Sequence, residues 1–464
     1  MSALQNPQVG NTRMGKPFFK TILRDAGLLA PSGEAAGPND VILALAAADA
    51  GAAEAGFAAA DAALGELRPQ AGARARPRTL GAAAGELAGA NLALISVPGA
   101  FAAAEAAEAL RNGLHVLIFS DNVPVTDEIA LKRKARERGL LVMGPDCGTA
   151  FIAGVPLAFA NEVPRGDIGI VAASGTGLQE VACLLARAGA GVSHGIGVGG
   201  RDLTETVGGL GTLAAIDALD RDSGTRHIVL VSKPPAPGVA RAVFQRVAQS
   251  PKRFTLCLLG QTEGSVPANA RVVRTLREAA EAVLGRPVAA GLPPVRVASP
   301  VRRRIRGLYA GGTLAAEAQL VLMRAGLTVA SNAPVPGAAP LPGPEGAHVV
   351  LDLGADEYTG GRPHPMIAPE MRTPHLREAL ADPRTGVVLL DVVLGYGAHE
   401  DPAEEIARVG PFPADGAAVI ASVTGTEGDP QVHSRQAAAL KAANVHVAGS
   451  NAEAAALAAE AVRA

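Results

Sequence analysis

Residues 174–189 and 311–326 are one unit written twice. Shifted by 137 positions, Gly175 falls on Gly312, Thr176 on Thr313, Glu180 on Glu317 and Leu185 on Leu322. Arg187-Ala188-Gly189 falls on Arg324-Ala325-Gly326, making seven identities without a gap. Each copy follows a short apolar run, so each predicts strand, glycine turn and helix. Glycine lets the backbone turn sharply and approach a ligand closely. The helix then begins with unpaired N–H groups and the positive end of its dipole, which together favour an anion. Thr176 and Gln179 have the spacing of a capping box, and Gly189 and Gly326 stand where each helix should stop. Two such turns facing each other would grip one phosphate or carboxylate. Ser174, Gly175, Thr176, Gly311, Gly312 and Thr313 are therefore the candidate phosphate ligands. The plainer alternative is two ordinary turns in two related domains.

A chain of 464 residues exceeds what one core organises, so several domains are expected. Hydrophobic residues make up 48% and glycines number 55, but aromatics are only 3% and Trp is absent. The core must then be Ala, Val, Leu and Gly in close helix–sheet packing. A net charge of −2 gives no basis for broad nucleic-acid binding. The three cysteines are too scattered for a disulfide framework or a metal cluster, so no metal is expected. The N-terminus lacks a secretion-signal pattern. The Ala-rich stretches carry Glu, Asp or Arg and do not read as membrane spans. The expectation is a cytoplasmic protein acting on small molecules.

Residues 1–37 are polar and punctuated by Gly and Pro. They read as a poorly ordered or accessory segment, with a short helical candidate around Pro17–Gly27. From residue 38 on, apolar runs alternate with helical stretches. Asp40–Ala47, Leu92–Val97, His115–Ser120 and Leu140–Met143 read as strands of one domain, to about residue 164. Ile168–Ala172, Val192–Val198, His227–Val231 and Phe254–Leu259 belong to a second, residues 165–297. Ile305–Tyr309, His348–Leu353, Gly386–Val393, Ala418–Val423 and Val445–Ala448 belong to a third, residues 298–464. Residues 285–304, ending in Arg302-Arg303-Arg304, read as a linker. Such alternation means right-handed parallel sheets, with ligands at the carboxyl ends of the strands.

Those ends supply the remaining candidates. Gly199, Gly200, Arg201 and Asp202 follow one strand, and Thr424, Gly425 and Thr426 follow another; both sets are read as substrate ligands. Lys233, after His227–Val231, could neutralise a phosphate or a carboxylate, or be a plain surface lysine. His364 is held between two prolines of fixed φ and is the acid–base candidate, with Arg362 beside it as a carboxylate binder. Arg201 and Asp202 could instead form a turn ion pair, and His364 could be a packed loop residue. His194, inside a strand, reads as structural. Cys147 reads as a turn residue, with no nearby His or Lys to lower its pKa. Asp391 and Asp429 are candidates on position alone.

Gly144-Pro145-Asp146-Cys147, Gly169-Ile170-Val171 with Ser174-Gly175-Thr176, and Gly199-Gly200 resemble the α-subunit of succinyl-CoA synthetases. Residues 305–460 resemble the C-terminal domain of the β-subunit. The fused arrangement resembles the FdrA family from about residue 38 to the end, with Leu141–Thr149, Leu157–Asn161, Gly361–Ile367 and Val423–Thr426 carrying the likeness. The resemblance implies an α/β fold of three doubly wound parallel-sheet domains. They are a Rossmann-like CoA-binding-type domain and two flavodoxin-like succinyl-CoA synthetase domains, without an ATP-grasp domain. It also implies one of two activities. One is acyl-CoA synthesis. The other is a subunit role in oxamate carbamoyltransferase of purine and allantoin breakdown, which turns oxalurate and phosphate into oxamate and carbamoyl phosphate. The family works with separate partner subunits, and self-association is compatible with it.

Three departures separate the two. The synthetase carries its phosphoryl group on a histidine in a Gly-His-Ala-Gly-Ala loop; the matching Leu259-Gly260-Gln261-Thr262-Glu263 has no histidine. Where the synthetase orients that histidine with a glutamate, this chain has Ser232-Lys233-Pro234-Pro235. No Gly-x-Gly-x-x-Gly-like turn precedes residue 90, where the synthetase holds the CoA phosphates. The reading is carbamoyl transfer with phosphate as co-substrate and no phosphohistidine. Phosphate attack on a carbamoyl carbon needs alignment, charge neutralisation and oxyanion stabilisation, not a side-chain nucleophile. The alternatives are an acyl-CoA synthetase, with CoA bound, and a non-catalytic scaffold subunit.

Overall fold

Strands buried on both faces need apolar residues at nearly every position, and this chain supplies several. Every residue of Thr385–Val393 is buried, as are all of His227–Ser232 except the half-buried His227. In the computed structural model the described residues are 8–11, 24, 28–35, 41–45, 47–66, 77–260, 266–288, 291–297, 299, 301–360 and 362–463. They fall into two units, Met1–Leu87 and Ala88–Ala464. Among the described residues no helix is long and apolar enough to cross a membrane.

In the first unit, β1 (Gln8–Asn11) pairs antiparallel with β2 (Val41–Ala44), and a helix follows over Ala50–Glu66. The strand expected to open the parallel domain at Asp40–Ala47 thus pairs backwards in a two-stranded ribbon. A four-residue apolar run fits either kind of sheet, and Gln8–Asn11 was too polar to announce itself as the partner. The helical candidate at Pro17–Gly27 lies, apart from Arg24, outside the described residues.

The second unit holds three sheets. The smallest is parallel: β3 (Leu92–Ile95), β4 (His115–Ile118) and β5 (Val142–Met143). The first lobe comprises β6 (Thr149–Ile152), β7 (Val155–Ala158), β8 (Arg165–Ala172), β9 (Val192–Gly197), β10 (His227–Ser232), β11 (Arg253–Leu258) and β12 (Ala270–Val273), in the order β12-β11-β10-β8-β9-β6-β7. The strands β8 to β12 run parallel, and the β6–β7 hairpin closes one edge antiparallel. The second lobe comprises β13 (Arg304–Tyr309), β14 (Val329–Ser331), β15 (Ala339–Pro340), β16 (His348–Asp352), β17 (Thr385–Val393), β18 (Ala418–Thr424) and β19 (His446–Ala448). Its order is β15-β14-β16-β13-β17-β18-β19, all parallel.

The repeated helices are Gly175–Arg187 and Gly312–Arg324. Each is followed by a glycine at positive φ, Gly189 at 82° and Gly326 at 81°. Both are buried along most of their length, in one apolar cluster that runs through both lobes and includes Leu178, Leu184, Leu185, Leu314, Leu322 and Ala458. A leucine buried this fully contributes about 2 kcal/mol. The last helix, Asn451–Arg463, lays Ala454, Ala455, Ala458 and Ala459 into the same cluster. Small side chains let helices approach closely, so a core this poor in aromatics still closes. The three-stranded sheet is fixed to the first lobe at the Gly144–Cys147 loop. A Cβ on Gly199 would lie 2.4 Å from the Pro145 carbonyl, and one on Gly197 2.6 Å from Cys147 Sγ.

Candidate functional site

The two repeated turns meet. A Cβ on Gly311 would lie 2.9 Å from Thr176 Oγ1, and one on Gly177 3.1 Å from Thr313 Cγ2. The turns are pinned differently. Ser174 caps the first helix, its hydroxyl accepting from the Gly177 N–H at 3.0 Å. The expected Thr176–Gln179 box does not form: Gln179 Nε2 donates to Asn161 Oδ1 at 3.0 Å and to the Leu394 carbonyl at 3.3 Å. In the second turn the buried Asp391 carboxylate takes the N–H groups of Ala310 at 2.8 Å and Gly311 at 2.7 Å. Arg372 holds that carboxylate at 2.7 Å. Asp391 is therefore a pin, and the Gly311 N–H is already committed. Among the described residues the N–H groups of Gly175, Thr176, Gly312 and Thr313 have no partner, as first-turn amides do without a ligand.

Asp352, the last residue of β16, faces the second turn. A Cβ on Gly312 would lie 2.6 Å from its Oδ2. Its Oδ1 accepts the Gly354 N–H at 3.0 Å. Burial pushes its carboxyl up to about 6; Lys233 pulls it back, and Asp391 and Glu357 add repulsion. Lys233 is exposed at the end of β10 and makes no ion pair among the described residues. Asp146 also feels the charge of Lys233. It keeps an open edge but is walled by protein, and desolvation followed by the charges of Asp121 and Asp356 raises its carboxyl, against Arg201 and Lys233. Asp352 and Asp146 were missed in the sequence because each closes or follows an apolar run, and their neighbours in space are far away in the chain.

His364 is brought to the same strand ends. A Cβ on Gly354 would lie 2.6 Å from its Nε2 and 3.3 Å from Asp352 Oδ1. Its Nδ1 accepts the Met366 N–H at 3.2 Å, which leaves Nε2 to carry the proton in the neutral ring. Burial lowers its pKa, Asp391 raises it and Arg372 lowers it. Arg362 is exposed, with no side-chain partner among the described residues. Gly361 and the histidine-free Gln261-Thr262-Glu263 lie outside the described residues.

Two expectations are corrected. Asp202 is fully buried and cannot meet a substrate. Its oxygens accept from Lys132 at 2.7 Å, from the Gly211 and Thr212 N–H groups at 2.8 Å each and from the Thr212 hydroxyl at 2.7 Å, so it caps the helix Leu210–Arg221. Arg201 pairs with Glu128 at 3.0 Å and the Val123 carbonyl at 2.8 Å while keeping an exposed face toward Asp146. Gly199 is packed on Pro145, and Gly200 lies beside Asp146. Thr424, Gly425 and Thr426 are likewise turned inward. Thr424 Oγ1 donates to Glu180 at 2.5 Å, the Gly425 carbonyl accepts from Arg187 at 3.1 Å, and Thr426 Oγ1 donates to the Glu162 carbonyl at 2.7 Å. Asp429 serves the same seam, accepting from Asn161, Glu162 and Thr426. Glycine-rich strand ends suit ligands and close domain contacts equally, which is why these were misread.

The seam also explains the rest of the repeat. Glu180 of the first lobe accepts the Asn451 N–H, which opens the second lobe's last helix, at 3.2 Å. Glu317 of the second lobe accepts the Leu276 N–H, which opens the first lobe's last helix, at 2.6 Å, and Asn451 Nδ2 at 2.8 Å. Arg187 reaches the Val423 and Gly449 carbonyls at 2.9 and 3.0 Å, and Arg324 the Arg274 carbonyl at 3.1 Å. The shared Glu and Arg thus cross-link the lobes.

Two parallel-sheet lobes joined through paired glycine-turn helices give the chain a succinyl-CoA-synthetase-like α/β fold, and the comparisons agree. The CoA-ligase family model matches residues 308–461, and a model described as the AllF heavy metal-associated domain matches residues 4–79. The chain is 40% identical over 471 residues to the uncharacterized protein YahF of Escherichia coli K12, covering 94% of this chain and 90% of YahF. It belongs to the YahF family, which is FdrA-like. It is 32% identical over 146 residues to the α subunit of the ADP-forming succinate–CoA ligase of Methanothermobacter thermautotrophicus, covering 31% of this chain and 48% of that subunit. The match thus spans about half of that relative's length. The apo acetyl-CoA synthetase 1 of Ca. Korarchaeum cryptofilum covers 80% of this chain and 82% of its own at 16% identity and a TM-score of 0.34, too loose a likeness to carry an inference.

The heavy-metal label can be tested against the donors present. Residues 4–79 contain no Cys and no His, the ligands that thiophilic ions require. The cysteines of the chain, Cys147, Cys183 and Cys257, are all buried elsewhere. Among the described residues no group of His, Cys, Asp and Glu is placed to hold a metal ion. The donor set does not fit such an ion.

Proposed function

We propose that this chain is an enzyme subunit that transfers an acyl-type group between a carbonyl substrate and phosphate where the two repeated turns meet, without a phosphorylated histidine. The reading is supported by the close approach of the two turns, by the first-turn amides of Gly175, Thr176, Gly312 and Thr313, unpaired among the described residues, and by the charge of Lys233 acting on Asp352 beside Gly312. Such amides and an ammonium favour an oxyanion without reorganisation. Ser174 and Gly311 shape the grip, His364 Nε2–H serves beside Asp352 as a hydrogen-bond donor, and Arg362, Arg201 and Gly200 are the substrate contacts of this reading.

Two substrates fit. An acyl-CoA thioester is supported by the CoA-ligase match over residues 308–461. A carbamoyl donor such as oxalurate, acting with separate partner subunits, is supported by the histidine-free loop after β11 and by Lys233 standing where a base-orienting carboxylate would be. Phosphate-dependent formation of carbamoyl phosphate from oxalurate, beside titration with CoA by calorimetry, decides between them. Product without CoA binding selects the carbamoyl reading, and CoA binding without product selects the acyl-CoA one. In either case Gly175→Val and Gly312→Val are expected to lower turnover by about 100-fold, because the first pushes its turn off Thr149 and the second drives a side chain against Asp352. Full turnover in both variants would leave a scaffold role.

A further inference from the structure

The second turn carries against it a carboxyl group that a simple anion grip does not need. Asp352 is only 6% exposed, yet its Oδ2 has no hydrogen-bond partner among the described residues and lies against Gly312, the first residue of the second repeated helix. The unpaired Lys233 acts on it from the other lobe without forming an ion pair. A group arriving in the gap therefore meets both. The neighbouring His364 is poorly suited to shuttle protons: its Nδ1 is engaged by Met366, and burial holds the ring neutral.

We infer that Asp352 is the acid–base residue of this cleft, a role that rests on the phosphate-transfer reading above. A phosphate oxygen attacks the acyl carbon, a carbon–oxygen bond forms, and the bond to the leaving nitrogen or sulfur breaks. Oδ2 takes the proton of hydrogen phosphate and delivers it to the leaving atom, so the reaction balances with no further reactant. The charges facing Asp352 are Lys233 from the first lobe, Glu357 from the following helix, and Asp391, itself paired with Arg372, from β17; His364 lies beside Gly354. Burial leaves the carboxyl ready to accept a proton near neutrality.

The same chemistry makes anion binding take up a proton, and this can be read without turnover. Sulfate is the probe, because it stays dianionic between about pH 5 and about pH 8 while carboxyl groups titrate. Calorimetry of the full chain, repeated in buffers of different ionisation enthalpy, gives the protons taken up per sulfate. The wild type is expected to bind about tenfold more tightly at the acid end, with uptake approaching about one proton. Asp352→Asn is expected to bind with a flat pH profile and no uptake. If Asp352→Asn keeps the uptake, the inference fails while the grip stands. If sulfate does not bind, or binds equally well to Gly312→Val, the phosphate reading fails first and this one with it.

Discussion

The two lobes share a helix, a turn and the Glu and Arg that join them, yet they are built differently around the turn. In the first lobe the strand after the repeated helix, β9, pairs directly with β8. In the second its counterpart β14 is pushed outward, and β16 is inserted between it and β13. That extra strand delivers Asp352 and leads into the loop carrying His364. The first turn is capped by its own serine, whereas the second is held from outside by Asp391. The repeat made the two turns alike, and one inserted strand made their surroundings unlike. Asp352 and His364 come from the second lobe, and Lys233 from the first.

Removing the pins one at a time separates the lobes most sharply. Asp391→Ala strands a buried arginine and two amides, and is expected to cost about 3–5 kcal/mol in chemical denaturation. A loss below about 1 kcal/mol would mean the second turn holds itself. Next comes the seam. Burial pushes Glu317 from its ordinary 4.5 up to about 7, with Glu180 adding repulsion. The folded state then holds a proton the unfolded chain has released, so this contribution is full below about pH 4.5 and lost as pH rises through about 7. It amounts to ~3 kcal/mol at most. Glu317→Gln should remove that slope from the stability–pH curve, and an unchanged slope would place the titration elsewhere. Ser174→Ala, the first lobe's counterpart of the Asp391 change, should cost only about 1 kcal/mol. The smallest effect concerns the other unit. Full-length protein challenged with chelator-buffered Zn(II) or Cu(I) should take up no stoichiometric metal, and one equivalent bound would restore the family label.

Much of this was legible in the chain. The offset repeat announced two related lobes, and the alternating apolar runs announced their parallel sheets. Gly189 and Gly326 marked where the repeated helices stop. What local pattern could not show was direction across space. Thr424, Gly425 and Asp202 have the composition of ligand loops, but one set faces a glutamate of the other lobe and the other a buried lysine. Lys233 and Asp352 are joined by no spacing rule, only by their approach from different lobes. One clue was available: Glu180 and Glu317 recur more than a helical turn beyond their glycines, too deep to touch a ligand at the turn. Repetition at that depth points to a shared boundary.

Each lobe fastens the opening turn of the other's final helix, Glu180 at Asn451 and Glu317 at Leu276. Laced in both directions, the two halves share their helix starts. Loss of either glutamate would loosen a helix in the lobe that does not carry it.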